Sequence, residues 1–306
     1  MNVTERLKNA YSSGGMKEII RKLYYFGLYK KNGMKIVADV EKRELEYGVL
    51  DDDKKREIPV IVSLTTYPKR FGNMELCLKS LILQSVKPDK IIVYLGKDSA
   101  DIPLPYNLEK YKEYGVEFKC DGTCNLKSYK KFYYAMQEFS DAIIITADDD
   151  IIYPVNWLES LLESYKKYPH AISARRVHLM RLNGSELAPY NSWIDQCREI
   201  REPSHSLFAT GCGGILYPPH SLYFRAFDRE VFMDICSSAD DVWLKCMGFL
   251  NDFPVVWVPN NEVDLPEVEN TNMTALQNNN VGKNMNDMFM KNVMMKFDIN
   301  PKMFFE

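Results

Sequence analysis

From Ile58 onward, apolar and polar positions fall into regularly punctuated blocks. Pro59 to Leu64 is a short apolar run closed by Thr65-Thr66-Tyr67-Pro68, which predicts a buried strand running into a loop. Met74, Leu76, Leu78, Leu81 and Ile82 recur at helical spacing over Asn73 to Gln84, and Lys90 to Leu95 is the next apolar run, so this stretch reads as a βαβ unit. Val116 to Cys120 predicts a third strand, Tyr129 to Glu138 a helix, and Ala142 to Thr146 a fourth strand. Strands alternating with helices argue for a mostly parallel sheet with its ligand site off the carboxyl ends of the strands, where Thr65 and Asp148 both fall. A helix is expected from Trp157 to Tyr168, with a less regular region beyond it. There, Gly211-Cys212-Gly213-Gly214 before Pro218-Pro219 marks a glycine-rich bend, and Asp240 to Leu250 another helix. The Asn- and Met-rich tail beyond Asn270 reads as a lid or edge segment.

Residues 1–57 have a different texture, rich in Lys, Arg and Tyr and ending in the charged stretch Asp51 to Arg56, which reads as a linker. Ile19, Ile20, Leu23, Tyr24, Phe26 and Leu28 are interleaved with Arg21, Lys22, Lys30, Lys31 and Lys35. That pattern fits a basic amphipathic helix touching a membrane surface through residues 15–40, and equally a helix packed on the main domain. No apolar run approaches the roughly 20 residues of a membrane-spanning helix, and the charged start lacks the h-region of a signal peptide. The expected location is the cytoplasm, with peripheral contact at the inner face of the plasma membrane as the amphipathic option. A net charge of −3 gives no argument for nucleic acid. The seven cysteines lack paired zinc spacing and read as buried free thiols, and the four histidines show no metal-binding pattern.

The sharpest chemical signal is Thr146-Ala147-Asp148-Asp149-Asp150, directly after an apolar strand. Adjacent carboxylates repel and call for a cation if they share a site. Mg²⁺ or Mn²⁺ prefers oxygen ligands and commonly binds one or two carboxylates together with substrate phosphates, so the run suits a nucleotide diphosphate and a metal that offsets charge on the leaving group. A solvated acidic turn is the ordinary reading of such a run; the buried-type strand before it and Ile151-Ile152-Tyr153-Pro154 after it weigh against that. Asp240-Asp241 opens an amphipathic helix. By local sequence the pair would cap free amides; facing a donor site, one of them would serve as general base, favouring direct displacement with inversion. Gly211, Gly213 and Gly214 suit either a tight turn or close approach of backbone to substrate. Lys130 and Lys131 suit either an exposed basic face, the ordinary reading, or contact with donor phosphates.

Together these motifs resemble bacterial GT-A glycosyltransferases of capsule and cell-surface polysaccharide clusters, family-2-like and with a DxD element. The resemblance runs from about Ile58 to Met290 and rests on Val62 to Arg70, Tyr129 to Tyr133, Ile144 to Pro154 and Ala239 to Lys245. It implies an α/β, Rossmann-like GT-A fold: a mostly parallel sheet flanked by helices, as a single main domain with an N-terminal helical extension. The boundaries it implies are 1–57 for extension and linker, 58–155 for a nucleotide-sugar half, 156–290 for an acceptor half, and 291–306 for a tail. Thr65, Thr66, Tyr67 and Arg70 would lie beside the donor nucleotide, with Lys130, Lys131, Asp148 and Asp149 also on the donor. Asp148 and Asp150 would hold Mn²⁺ or Mg²⁺, and Asp241, ahead of Asp240, would be the base, with Gly211, Gly213 and Gly214 bordering the acceptor. Many relatives add a late histidine ligand; no His follows His220 here, so either Asn286-Asp287 substitutes, with Asp287 as the ligand, or the metal rests on the DxD and the diphosphate alone. The implied donor is a nucleotide-diphosphate hexose, with UDP the commonest base in that family, and the acceptor a glycan or lipid-linked hydroxyl. Other readings are a haloacid-dehalogenase-like Mg²⁺ phosphatase or phosphotransferase, a non-catalytic carbohydrate-binding scaffold, and, more weakly, a glycoside hydrolase.

Overall fold

The predicted apolar runs form the central strands of the protein. The computed structural model describes residues 3–54, 56–120, 126–260, 264–268 and 285–306. Strands β1 (Val60–Thr65), β2 (Lys90–Leu95), β3 (Val116–Cys120) and β4 (Ile143–Thr146) pair in parallel, in the order β4-β1-β2-β3. β1 and β4 are apolar almost throughout because helices cover both faces of the sheet. The covering helices include α2 (Glu75–Ile82) and α4 (Lys130–Glu138), with the short α3 (Tyr106–Glu109) leading toward β3.

Beyond α5 (Trp157–Lys167) lie strands β5 (Ile172–Ala174), β6 (Val177–Leu179), β9 (Leu207–Ala209), β10 (Ile215–Tyr217) and β11 (Val255–Trp257), and a small hairpin of β7 (Leu182–Asn183) and β8 (Glu186–Leu187). β10 inserts antiparallel between β4 and β5, and β11 pairs in parallel with β5, completing a seven-stranded sheet ordered β11-β5-β10-β4-β1-β2-β3. β6 and β9 form a separate antiparallel pair. The fold is therefore mixed α/β, with a mostly parallel central sheet. Because β2 lies on one side of β1 and β4 on the other, the crevice at the carboxyl ends of β1 and β4 is a topological switch point.

Helices α6 (Arg229–Ile235), α7 (Asp240–Leu250) and α8 (Met285–Lys296) complete the second half. α8 corrects the lid or edge reading of the tail where it is described: Phe289, Met290 and Val293 are buried in the core, and Cys246 Sγ approaches Met290 Sδ at 3.6 Å. Residues 270–284 of that tail lie outside the described residues. The expected boundary at residue 290 falls inside α8.

Helix α1 (Val3–Lys42) spans 40 residues, and its last turns meet the domain. Ile36 and Val40 are buried, Gly33 faces Pro266, and Lys79 Nζ donates to Glu41 O at 3.0 Å. The chain after it stays close: Gly48 N donates to Tyr114 O and Leu50 N to Pro88 O. Within the expected linker, Asp52–Lys54 is one 3₁₀ turn and Arg56 is pinned to Asp89 at 2.8 Å, with Lys55 outside the described residues. No helix among the described residues is long and apolar enough to cross a membrane.

Candidate active site

The acidic run begins where β4 ends. Ala147 N still donates to Ser63 O, and then the backbone of Asp148 is held by buried side chains: its N–H donates to Tyr153 Oη at 2.8 Å and its carbonyl accepts from Cys77 Sγ at 3.3 Å. Tyr153 is fixed in turn against Trp157, with ring centroids 4.4 Å apart. The run is therefore not a solvated turn. Farther on, Val268 N donates to Asp150 O at 2.7 Å and Ile152 N to Pro266 O.

The three carboxylates turn to two different cations. Arg70, from the 3₁₀ turn after β1, pairs with Asp149 and, at 2.9 Å, with Asp150. Lys131, on the first turn of α4, reaches Asp148 Oδ1 at 2.9 Å and Asp240 Oδ2 at 3.2 Å. Both lysines of the pair are buried, which corrects the exposed-face reading: Lys130 Nζ donates to Thr66 O at 3.4 Å, and Ser63 Oγ bonds to the carbonyl of Lys131. Burial opposes the charge of Lys131 and of Arg70, but the carboxylates around each outweigh it and raise both above their ordinary values.

The start of α7 enters the same place. Ala239, not an aspartate, occupies the cap position, and neither carboxylate caps the helix; this corrects the capping reading of the pair. Asp240 faces Lys131, while Asp241 Oδ2 accepts from Gly211 N at 3.0 Å. A Cβ on Gly211 would stand 3.1 Å from Lys131 Nζ, 3.2 Å from Asp241 Oδ1 and 3.7 Å from Asp148 Oδ1, so this glycine lies at the meeting point of both acidic motifs. The other glycines of the bend do different work. Gly214, at φ +90°, leaves room for the Trp157 indole, which a Cβ would meet at 2.5 Å, and Gly213, at φ +123°, backs onto Arg175 and Arg176. Trp157 Nε1 donates to Gly213 O at 2.7 Å.

Charge does not balance locally. Five carboxylates (Asp148, Asp149, Asp150, Asp240, Asp241) face two paired side-chain cations. Burial, and then Asp148, pushes Asp150 up to about 7. Burial, and then Asp240, does the same to Asp241, also to about 7. Asp149 is raised chiefly by burial, against the pull of Arg70. Among the described residues no three His, Cys, Asp or Glu side chains converge as a ready-made metal cage. The residual negative charge nevertheless fits a divalent cation that shares its coordination with substrate oxygens.

The remaining expected residues spread outward. Thr65 Oγ1 donates to Tyr94 O at 2.8 Å, Thr66 is buried, and the Arg70 guanidinium carbon lies 5.7 Å from the centre of the Tyr67 ring. Asp287 is on α8, where its Oδ1 accepts from Tyr190 N at 2.7 Å. Of the cysteines, Cys77, Cys197, Cys236 and Cys246 are buried, Cys212 is half-buried, and Cys120 is exposed, against expectation; Cys124 is outside the described residues. Among the described residues, the hydrogen bonds and ion pairs of the histidines lie outside the acidic cluster: His178, pressed to about 4 by burial and then by Arg176, faces Asp195 at 3.2 Å.

Sequence reasoning missed a polar cluster beside this site. Arg176 Nε lies 3.1 Å from Asp264 and its Nη2 3.5 Å from Asp195, while Gln196 Nε2 donates to both Asp264 oxygens at 3.0 Å. Arg176 O accepts from Thr210 N, one residue before Gly211. No local spacing marks these residues, and Arg176, Asp195 and Asp264 lie far apart in the chain. Two surface cavities, of about 440 and 290 Å³, lie away from the acidic cluster, one along β2 and α4 and one beneath α1.

No family model matches this chain, and no curated protein matches it. Among solved structures, a mannosyltransferase from Pyrobaculum calidifontis in complex with GDP-Man and Mn²⁺ is 13% identical, with a TM-score of 0.41; the match covers 80% of this chain and 66% of that one, just under two thirds. A 2-C-methyl-D-erythritol 4-phosphate cytidylyltransferase from Thermus thermophilus is 14% identical over 71% of this chain and 95% of that one, TM-score 0.41. A 4-diphosphocytidyl-2C-methyl-D-erythritol synthase is 13% identical over 71% and 97%, TM-score 0.44. Likeness this distant leaves the functional reading to the site's own geometry.

Proposed function

We propose that this chain is a GT-A-type glycosyltransferase that moves a hexose from a nucleotide-diphosphate sugar, UDP being the first base to test, to a hydroxyl of a glycan or lipid-linked acceptor in surface polysaccharide synthesis. The observation that carries the reading is the convergence of Asp148 at the end of β4 with Asp240 and Asp241 at the start of α7, around Lys131 and Gly211. A donor half over 58–155 and an acceptor half over 156–290 would meet there.

In this reading Asp241 takes the proton of the acceptor hydroxyl as that oxygen attacks the anomeric carbon. The bond from that carbon to the diphosphate breaks and its electron pair leaves with the diphosphate, so configuration inverts in one step. A base held near 7 suits proton removal at neutral pH. Asp148 and Asp150 would hold Mn²⁺ or Mg²⁺, which supplies Lewis-acid neutralisation of the departing diphosphate. Lys131 and Arg70, already buried and oriented, would add fixed positive charge. Thr65, Thr66 and Tyr67, at the carboxyl end of β1, would border the nucleotide, with Lys130 fixing that loop through Thr66 O. Gly211 would let the acceptor approach the backbone. Asp287 Oδ1 accepts from Tyr190 N, so a ligand role would fall to its Oδ2.

The test is nucleoside-diphosphate release from a panel of nucleotide sugars with Mn²⁺, Mg²⁺ or EDTA, for the native chain and for Asp150→Ala. Cation-dependent release from one donor, lost in the variant, is expected. A folded protein that binds no donor sinks the proposal, and hydrolysis of a simple phosphate ester in its place would favour the phosphatase reading.

A further inference from the structure

Helix α1 carries an apolar face that the domain does not cover. Met16, Ile20, Leu23, Tyr24 and Met34 are each more than half exposed, at 62%, 62%, 57%, 66% and 67%. At about 100° per residue they fall within one arc, with Met16 and Met34 about five turns apart on the same line. Gly33, Ile36 and Val40, which meet the domain, are centred roughly 150° round the helix from that arc. One side of α1 thus docks to the protein while another presents to solvent an apolar stripe about 27 Å long, from Met16 to Met34.

Charge narrows what covers this stripe. Between residues 16 and 35 there are six Lys or Arg and a single acid, Glu18. Lys30, Lys31 and Lys35 are exposed on the described helix; Lys30 and Lys35 flank the apolar arc, and Lys31 falls within it between Ile20 and Tyr24. A second copy of α1 would bring like charge against like charge. An anionic bilayer offers both an apolar layer for the stripe and phosphate charge for the flanking amines, whose long stems let them reach headgroups while the stripe is immersed.

We propose that the exposed face of α1 docks this protein on the surface of an anionic lipid bilayer, lying in the interface rather than spanning it. This does not depend on the transferase reading, and it fails or stands separately from it.

The test is co-sedimentation of the full chain with vesicles of phosphatidylcholine alone and of phosphatidylcholine with phosphatidylglycerol, at low and high sodium chloride. Expected are binding to the anionic vesicles, a marked loss at high salt, and weakening of about tenfold or more in Ile20→Glu/Leu23→Glu with the unfolding midpoint unchanged. A second variant, Lys30→Glu/Lys31→Glu, keeps the apolar stripe and should lose the preference for anionic over neutral vesicles. Absence of binding, equal binding to both vesicle types, or binding untouched by either variant overturns the proposal. So does analytical ultracentrifugation showing a native dimer that Ile20→Glu/Leu23→Glu makes monomeric, since a second copy would then be the occupant.

Discussion

At the scale of single residues, Lys131 is buried between Asp148 and Asp240. Removing one partner of a buried ion pair leaves the other unpaired, so Lys131→Met is expected to destabilise the protein by roughly 3–5 kcal/mol, read from urea unfolding at neutral pH. The acidic run was legible in the sequence because its three carboxylates are neighbours in the chain behind an apolar strand. What holds them was not, since Lys131 and Asp240 are distant in sequence and a lysine's ordinary place is the surface. Asp241→Asn should retain the fold and lower kcat by about 10²–10⁴-fold in the donor assay, as loss of a general base does. Lys245 makes a different prediction. It is buried on α7, donates to His205 O at 2.6 Å, and is pressed by burial from its ordinary 10.5 down to about 7. The fold therefore favours the neutral amine, and stability that is full above pH 10.5 is lost as pH falls through about 7. Lys245→Met should accordingly be the more stable protein at about pH 6, by more than about 1 kcal/mol, with the gain shrinking toward about pH 10. Equal gains at both pH values would contradict the assignment.

At the scale of elements, β1 to β4 and the helices between them could be read because each is long enough to show a period and is bounded by turn residues. The strands from β5 to β11 are two or three residues long, too short for alternation to register, and the antiparallel insertion of β10 depends on contacts far along the chain. The glycine-rich bend was visible, but not the division of labour inside it. Gly214→Ala imposes a left-handed conformation on alanine and drives its Cβ into Trp157, whereas Gly184→Ala, at φ +65° with open space around it, imposes only the first cost. Gly184→Ala is expected to cost about 1–2 kcal/mol and Gly214→Ala at least about 1 kcal/mol more, by denaturant unfolding. A shift in indole fluorescence should accompany only the second.

At the scale of the whole molecule, α1 is joined to the domain through its last turns, at Gly33, Ile36 and Val40. Deleting residues 1–24 should leave the unfolding free energy of the remainder within about 1 kcal/mol, because Gly33, Ile36 and Val40 stay in place; a larger loss would mean that those turns support the domain. Across the middle of the domain, beside the pairing of β10 with β4, one ammonium group links the two halves. Lys131 sits between a carboxylate from the first half of the chain and one from the second, so positions 131, 148 and 240 answer to each other electrostatically. In evolutionary terms they form one inherited unit. A lineage that loses the lysine strands the buried Asp240 and the half-buried Asp148, and one that loses both acids strands the buried lysine, so among divergent relatives these three positions are expected to be kept together or replaced together.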